Sequence, residues 1–186
     1  MTREEAAAEI AGLIADLTPI QDLEVAWPHA PRMRARTFIT QMSFPEIMAT
    51  SVRAVVFRAG KVVVIRERDG TRHINPGGRR EAGETLEETC RREVLEECGW
   101  ELGPLKPLGF HHFHHLGERP ADFAFPWSDF IQPVHVAEGR TYHRAARDRT
   151  QIEAGSSLVA ISRALRELPA GEAALLRAAV AWRAPG

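Results

Sequence analysis

Three glutamates on one predicted helix are the residues in this sequence best placed to do chemistry. Glu93, Glu96 and Glu97 are spaced so that a helix brings their carboxylates onto one face. Like charges so close repel each other unless a cation holds them together. Carboxylate oxygens are ligands that Mg²⁺ and Mn²⁺ prefer, and such ions commonly serve phosphate chemistry. Spacing alone is also typical of a solvated acidic face, so the residues around these acids must decide between that face and a divalent metal site.

The helix that carries these acids has clear signals at both ends. Thr85 and Glu88 form the Thr-x-x-Glu pattern of a capping box, and Gly99 stands where glycine commonly ends a helix. Apolar or weakly polar side chains recur every fourth residue between them, at Leu86, Cys90, Val94 and Cys98. We expect this stripe to face the core. The helical rise holds the two cysteines about 12 Å apart, too far for them to form a disulfide with each other.

Strands and further helices are predicted on both sides of this helix. Apolar residues at helical spacing predict helices over 3–17, 162–168 and 171–182. Two β-like runs, 51–57 and 61–66, flank Ala59-Gly60 as a hairpin, a short strand is predicted at 72–75, and 101–137 holds two or three more strands. The proline-rich stretch 18–50 is predicted to be irregular, and the polar, arginine-rich stretch 138–155 to be a mobile loop.

The bulk composition limits the class of protein. With 186 residues, 44% of them hydrophobic, the chain suits one domain with an appendage. A formal net charge of -1 gives no indication of nucleic-acid or membrane-surface binding. The sequence shows no signal peptide and no apolar run of membrane-spanning length. Together with two cysteines interpreted as reduced, these features predict a cytoplasmic protein.

The turn Pro76-Gly77-Gly78, called the glycine turn below, and the helix after it together follow a pattern of fixed residues. The order is Gly, five residues, Glu, seven residues, Arg-Glu, a bulky apolar residue, any residue, Glu-Glu, any residue, Gly and a bulky apolar residue. The positions are Gly78, Glu84, Arg92, Glu93, Val94, Glu96, Glu97, Gly99 and Trp100. This pattern resembles the signature of the Nudix hydrolases. The tryptophan is a departure, because the family usually has an aliphatic residue there.

The resemblance implies a fold and a reaction. The implied fold is mixed α/β (α+β), a Nudix-type α/β/α sandwich with a mixed central sheet over residues 51–186. Residues 1–50 lie outside the resemblance; we expect them to form an N-terminal extension, made of a helix and an irregular segment, that could cover the cleft or build a homodimer. The implied reaction is metal-dependent cleavage of a phosphoanhydride bond. Its substrate would be a small nucleotide, either a nucleoside diphosphate linked to another moiety or a nucleoside triphosphate.

The resemblance also assigns roles to residues. The implied ligands of Mg²⁺, or of Mn²⁺ in its place, are the Gly77 carbonyl, Glu93, Glu96 and Glu97. Glu84 and Arg92 are implied to form an ion pair that braces the loop against the helix. One of the three glutamates could also serve as the base, and family members differ in which one does.

Two other functions on the same scaffold stay open. One is a binding module that senses a nucleotide or ADP-ribose without cleaving it. Such modules usually lose carboxylates of the pattern, and none is lost here. The other is a diphosphate isomerase, for which no cysteine is suitably placed, since both belong to the helix.

Two further groups of residues invite a functional interpretation. The histidines of the segment 111–115 could bind zinc, contact substrate or be ordinary strand histidines; they are His111, His112, His114 and His115. Family members often add a carboxylate from a later loop. Glu153 is the nearest acid for that role as base or ligand, with Asp148 and Glu138 behind it.

Overall fold

Strands and helices alternate through the part of the chain that the structure describes. The structure is a computed structural model covering residues 1–26, 31–119, 121, 127–147 and 153–183, without the side chains of residues 153 and 154. The strands are β1 Gln21–Val25, β2 Met33–Ile39, β3 Arg53–Arg58, β4 Lys61–Glu67, β5 Arg72–His73, β6 Trp100–Leu102, β7 Lys106–His115, β8 Asp129–Tyr142 and β9 Glu153–Ala160. The helices are α1 Arg3–Ala15, α2 Leu86–Cys98, α3 Ile161–Glu167 and α4 Ala170–Arg183.

The chain divides into two compact units, of which the first combines Met1–Thr50 with Gly109–Pro133. Its strands lie in the order β1-β2-β7-β8, and β2 is antiparallel to both β1 and β7. Helix α1 begins with a capping box between Thr2 and Glu5. The fully buried side chains of this unit include Ile10, Met33, Phe38, Met48, Phe110 and Ile131.

The second unit combines Ser51–Leu108 with Val134–Gly186. Strand β3 pairs in parallel with β8 and in antiparallel with β4, and β4 pairs in antiparallel with β5 and β9. The sheet is therefore mixed. The apolar residues of β3 and β4 form nearly continuous buried runs, which is typical of strands covered on both faces.

Helices cover both faces of the sheet in the second unit. On one face, the Ser156 hydroxyl lies 3.4 Å from the Cys98 carbonyl of α2 as a hydrogen-bond donor. On the other face, the Arg183 guanidinium of α4 lies 4.1 Å from the centre of the Phe57 ring. The predicted α/β/α layering and mixed sheet are thus confirmed. Among the described residues, no helix is both long enough and apolar enough to cross a membrane.

The prediction of an irregular segment over 18–50 is wrong, because β1 and β2 lie within it. Strand β2 forms by pairing with β7, which is distant in sequence; Arg36, for example, lies opposite His112. Between β1 and β2, the exposed ion pair of Arg34 with Asp22, 2.6 Å apart, uses charged side chains. These charges hide the apolar–polar alternation that would have indicated strands.

The predicted mobile loop over 138–155 is wrong at both of its ends. Strand β8 continues to residue 142, and β9 begins at residue 153. The end of β8 is paired with β6, where Trp100 lies opposite Tyr142. A 3-10 turn follows over Arg144–Ala146, and residues 148–152 lie outside the described part of the chain.

The locally signalled elements are confirmed. The hairpin of β3 and β4 turns through Ala59 and Gly60, both with positive φ (47° and 73°), as two-residue hairpin turns require. Helix α2 begins after the Thr85 capping box and ends at Gly99 in the left-handed conformation. The other predicted helices appear within two residues of their expected bounds.

Replacing Gly99 by alanine should destabilise the protein more than replacing Gly60. Both glycines have φ above +70°, so either substitution should cost about 1–2 kcal/mol of backbone strain. Only at Gly99 would the new methyl group crowd other atoms, 2.9 Å from the His143 carbonyl oxygen. We expect a further loss of roughly 1–3 kcal/mol there. Urea unfolding measures both, and equal losses would contradict the packing of residue 143 against this cap.

Candidate active site

Helix α2 is held firmly at its start. The Thr85 hydroxyl accepts a hydrogen bond from the Glu88 N–H at 3.1 Å, and the Glu88 carboxylate accepts one from the Thr85 N–H at 2.8 Å. This reciprocal pair satisfies backbone donors that the first turn leaves unpaired. The glutamates further along α2 are therefore carried by a helix whose first turn is held in place.

The buried stripe of α2 matches the prediction. Its members, Leu86, Cys90, Val94 and Cys98, are all buried. Both cysteines are free thiols, and burial raises the pKa of Cys90 to about 12. A thiol with so high a pKa stays protonated and unreactive, so this cysteine serves as core filling.

Arg92 connects the loop and the acids of the helix. Its guanidinium forms a two-point contact with Glu84, with nitrogen–oxygen distances of 2.7 and 3.0 Å. It also donates to Glu93 at 2.8 Å and approaches Glu96 at 3.4 Å. The structure thus contains the ion pair that the resemblance implies. One arginine also serves two further carboxylates, so it compensates only part of their charge.

Glu84 is fixed by several donors besides Arg92. Its carboxylate accepts hydrogen bonds from the Thr89 hydroxyl at 2.8 Å and from the Glu81 N–H at 3.0 Å. The Arg92 hydrogen bond, with these donors, lowers the pKa of Glu84 from its ordinary 4.5 to about 2. This carboxylate is therefore ionised throughout the neutral range and acts as a permanent anchor for Arg92.

The glycine turn is tied to the far end of the acidic cluster. The Gly77 N–H donates to Glu97 at 3.0 Å, and the Gly77 carbonyl accepts from the Arg53 guanidinium on β3. Residue 77 has φ of 143°, and a Cβ there would overlap the backbone carbonyl of Val52. Only glycine lets the loop lie this close to the strand.

Gly78 makes room for Glu93. A Cβ at residue 78 would overlap the Glu93 carboxylate, so the loop backbone packs directly over that side chain. Glu93 is only 9% exposed. Burial raises its pKa, and the hydrogen bond from Arg92 opposes that shift. The site thus holds a carboxylate in surroundings that disfavour its charge.

The residues brought together here suit a hard divalent cation. Glu93 and Glu97 are buried, while the Glu96 side chain is 36% exposed, and the donors they offer are carboxylate oxygens. Within the described residues, no three metal-ligating side chains already converge on one point. Mg²⁺ does not need such a cage, because it keeps several waters and shares itself with substrate phosphates. The donor set therefore fits Mg²⁺ or Mn²⁺.

Two arginines lie near this cluster, and sequence reasoning missed the first of them. Arg53 contacts the Gly77 carbonyl, and Arg147 donates to the backbone carbonyl of Glu97 at 3.2 Å. A signal existed for Arg53, a charged residue at the start of an apolar strand. Arg147 belongs to the arginine-rich stretch 138–155, whose arginines could contact phosphates or form part of a solvated loop.

Of the loop acids proposed as additional ligands, the structure describes the side chain of Glu138 alone. Glu138 pairs with Arg183 of α4. The side chain of Glu153 and the whole of Asp148 lie outside the described residues. Their proposed role stays a prediction.

The histidines of β7 belong to a polar network in the first unit. His112 and His114 contact the same oxygen of Asp129, at 2.8 and 3.0 Å. The other ring nitrogen of His112 lies 3.1 Å from Arg36. On the opposite face of the strand, His115 stacks on Trp127 with ring centres 4.3 Å apart. No three-ligand arrangement supports the zinc alternative among the described residues.

Comparison with known proteins identifies the family. The family model of the NUDIX domain matches residues 48–178, most of the chain. The chain belongs to the NUDIX family, as the pattern from Gly78 to Trp100 predicts. The expectation of an enzyme is thereby confirmed: this is a hydrolase acting on acid anhydrides in phosphorus-containing compounds. No curated protein sequence matches the chain.

Solved structures share the fold at low sequence identity. The pyrophosphohydrolase BsRppH of Bacillus subtilis is 21% identical, with 79% of each chain covered and a TM-score of 0.54. A NUDIX hydrolase of Nitrosomonas europaea is 19% identical, covering 72% of this chain and 86% of its own, with a TM-score of 0.51. An ADP compounds hydrolase is 18% identical, covering 89% and 93%, also with a TM-score of 0.51.

Replacing Glu84 by glutamine should lower stability in a pH-dependent way. Because the pKa of Glu84 is depressed on folding, its contribution is fully present above pH 4.5 and is lost as pH falls toward 2. The melting temperatures of wild type and Glu84→Gln should therefore differ at pH 6, begin to converge below pH 4.5 and approach each other toward pH 2. Glu87→Gln, on an exposed turn of the same helix, is the control and should show no comparable convergence. A constant gap for Glu84→Gln would contradict the role of this ion pair.

Proposed function

We propose that this protein is a Mg²⁺- or Mn²⁺-dependent pyrophosphohydrolase. Its substrate is a nucleoside diphosphate linked to another moiety, or a nucleoside triphosphate, and the bond cleaved is a phosphoanhydride. The observation that carries the proposal is the placement of Glu93 and Glu96 around one shared arginine, with Glu97 directly beside the backbone of Gly77. These groups combine acidic oxygens with a loop whose backbone is free to approach a ligand closely.

The proposed metal ligands are the Gly77 carbonyl, Glu93, Glu96 and Glu97. A divalent ion held there would lower the pKa of a bound water and neutralise phosphate charge. The protein's part is to hold the ligands in place. The hydrogen bond from the Gly77 N–H to Glu97 fixes the loop against the helix, and the Glu84–Arg92 ion pair fixes its other end. The base is one of the three glutamates.

The arginines of the site offer charge for the substrate. Arg53 reaches the Gly77 carbonyl, which is itself a proposed metal ligand. A guanidinium in that place can contact a phosphate oxygen in two-point fashion, as arginine commonly does. The likeness in fold to a pyrophosphohydrolase and an ADP compounds hydrolase supports a substrate with linked phosphates. A cytoplasmic location, a homodimer and the absence of a nucleic-acid partner stay predictions, as does the domain boundary at residue 50.

Glu96→Gln and Glu97→Gln should each reduce kcat/KM at least about a hundredfold, since even partners behind metal ligands are worth 10–100-fold. The substrate is found first by a phosphate-release screen over nucleoside triphosphates, nucleotide sugars, ADP-ribose, dinucleoside polyphosphates and coenzyme A. Glu87→Gln is the matched control, because Glu87 lies on the same helix and pairs at the surface with Arg91, its one ion-pair partner in the described part of the chain. Turnover in the two variants equal to that of the control would overturn the assignment.

Removal of divalent ions should abolish turnover, and Mg²⁺ or Mn²⁺ should restore it. The carboxylate ligands bind hard cations, and the phosphate charge needs one for hydrolysis. Activity is measured after dialysis against EDTA and again after titration with each metal. Full activity in EDTA would exclude metal-dependent hydrolysis. Tight nucleotide binding with metal present but no product would instead indicate the sensing module.

A further inference from the structure

A cleft lies in the second unit between strands β4 and β9 and helix α3. Its volume is about 550 Å³, and none of the residues lining it belongs to the glycine turn or to α2. Clefts of roughly 300–1,000 Å³ are the size that holds small-molecule ligands. The cleft is therefore large enough for a ligand of its own.

The strand register places this cleft on the sheet face away from α2. Ser156 contacts the Cys98 carbonyl, so its side chain lies on the α2 face. Its neighbour Ser157 is paired with Val64 and points to the opposite face. Arg66, two residues beyond Val64, shares that face. A ligand bound there is separated from the candidate active site by the sheet itself.

The cleft carries an excess of positive charge. Four cationic residues line it, Lys61, Arg66, Arg72 and Arg163, together with one acidic residue, Glu167. Glu167 already pairs with Arg72 at 2.8 Å and with Arg163 at 2.6 Å. Within the described residues, Arg66 and Lys61 form no ion pair. One carboxylate thus serves two arginines, and the structure describes no counter-ion for the other two cations among the residues it covers.

Two of these arginines oppose each other directly. Arg66 of β4 is paired with Arg72 of β5, and like charges in that position are destabilising. An anion between them would remove the repulsion. Guanidinium groups suit phosphate in particular, because their planar fork makes paired hydrogen bonds to two oxygens.

The rest of the cleft is apolar. Val64 and Leu168 are buried at its base, and Val159 continues the wall along the edge of β9. A ligand matched to this surface has a charged end for the arginines and an apolar or aromatic body for the wall. Free phosphate alone would leave the apolar part of the cleft unused.

We propose that this cleft binds a small phosphorylated molecule with an apolar body. The phosphate lies between Arg66 and Arg72, and the body packs over Val64 and Val159. The site is separate from the proposed metal site and does not depend on it. Binding there would let a second metabolite contact the same strands that support the active site.

Calorimetric titration in the presence of EDTA tests the proposal, because it removes any metal-dependent binding at the candidate active site. The probes are phenyl phosphate and inorganic phosphate. We expect the wild type to bind phenyl phosphate more tightly than inorganic phosphate. The affinity for phenyl phosphate should fall as the NaCl concentration is raised. The double variant Arg66→Gln, Arg72→Gln should lose at least about tenfold in affinity, since two charge-assisted contacts are removed.

Two control variants separate loss of the proposed contacts from a general loss of positive charge and from unfolding. Arg166→Gln changes an exposed arginine of α3 that does not line the cleft, and it should bind phenyl phosphate like the wild type. Arg66→Gln alone breaks no ion pair among the described residues and removes the repulsion with Arg72, so its melting temperature should be at least that of the wild type while affinity is still lost. Absence of binding to the wild type, equal losses in Arg166→Gln and the double variant, or equal affinity for the two probes would overturn the proposal.

Discussion

The shared guanidinium of Arg92 is the interaction on which the candidate site depends. It joins Glu84 of the loop to Glu93 and Glu96 of the helix, and its two-point contact with Glu84 fixes its orientation. Without this cation the helix would present neighbouring carboxylates with nothing to offset their repulsion. With it, the charge is compensated only in part, because one positive group serves three negative ones. The incomplete balance leaves a preference for a further cation while keeping the side chains ordered.

Burial of the glutamates strengthens the preference of the site for a further cation. Glu93 and Glu97 are largely removed from water, and burial already raises the pKa of Glu93. A carboxylate in such surroundings gains more from a nearby cation than an exposed one does, because solvent screens the attraction less. Any cation that binds the folded protein and not the unfolded chain also stabilises the fold. Stability and proposed activity are thus coupled through the same side chains.

The parts of the structure that sequence predicted are those with local causes. The start and end of α2 follow from Thr85, Glu88 and Gly99, which act within one turn of the helix. The β3–β4 hairpin follows likewise from its two-residue turn. The strands missed in the first unit depend on partners far along the chain, since β2 pairs with β7. Their charged residues form cross-strand ion pairs whose partners no local pattern reveals.

The same distinction applies inside the site. The acids of α2 could be found from spacing alone, but the contacts of Gly77 and Gly78 with other elements could not. Gly77 is required because Val52 of another segment lies against it, and Gly78 because the Glu93 carboxylate lies over it. In the sequence, these two glycines show only that the loop backbone can adopt conformations and close contacts that other residues cannot. In the structure they show where the loop is held, which is the information that a catalytic geometry needs.

Strand β4 contributes Val64 and Arg66 to the proposed cleft, and its partner strand β9 contacts α2 on the other face of the sheet. The apolar residues of β4 are buried on both faces, so the strand cannot shift toward one side without loosening the packing on the other. Ser156, paired with Ile65 of β4, faces α2, whereas Val64 and Arg66 face the cationic cleft. A ligand that draws Arg66 and Arg72 together would act on β4 directly. The close packing of that strand gives the two faces a physical connection that neither surface would have alone.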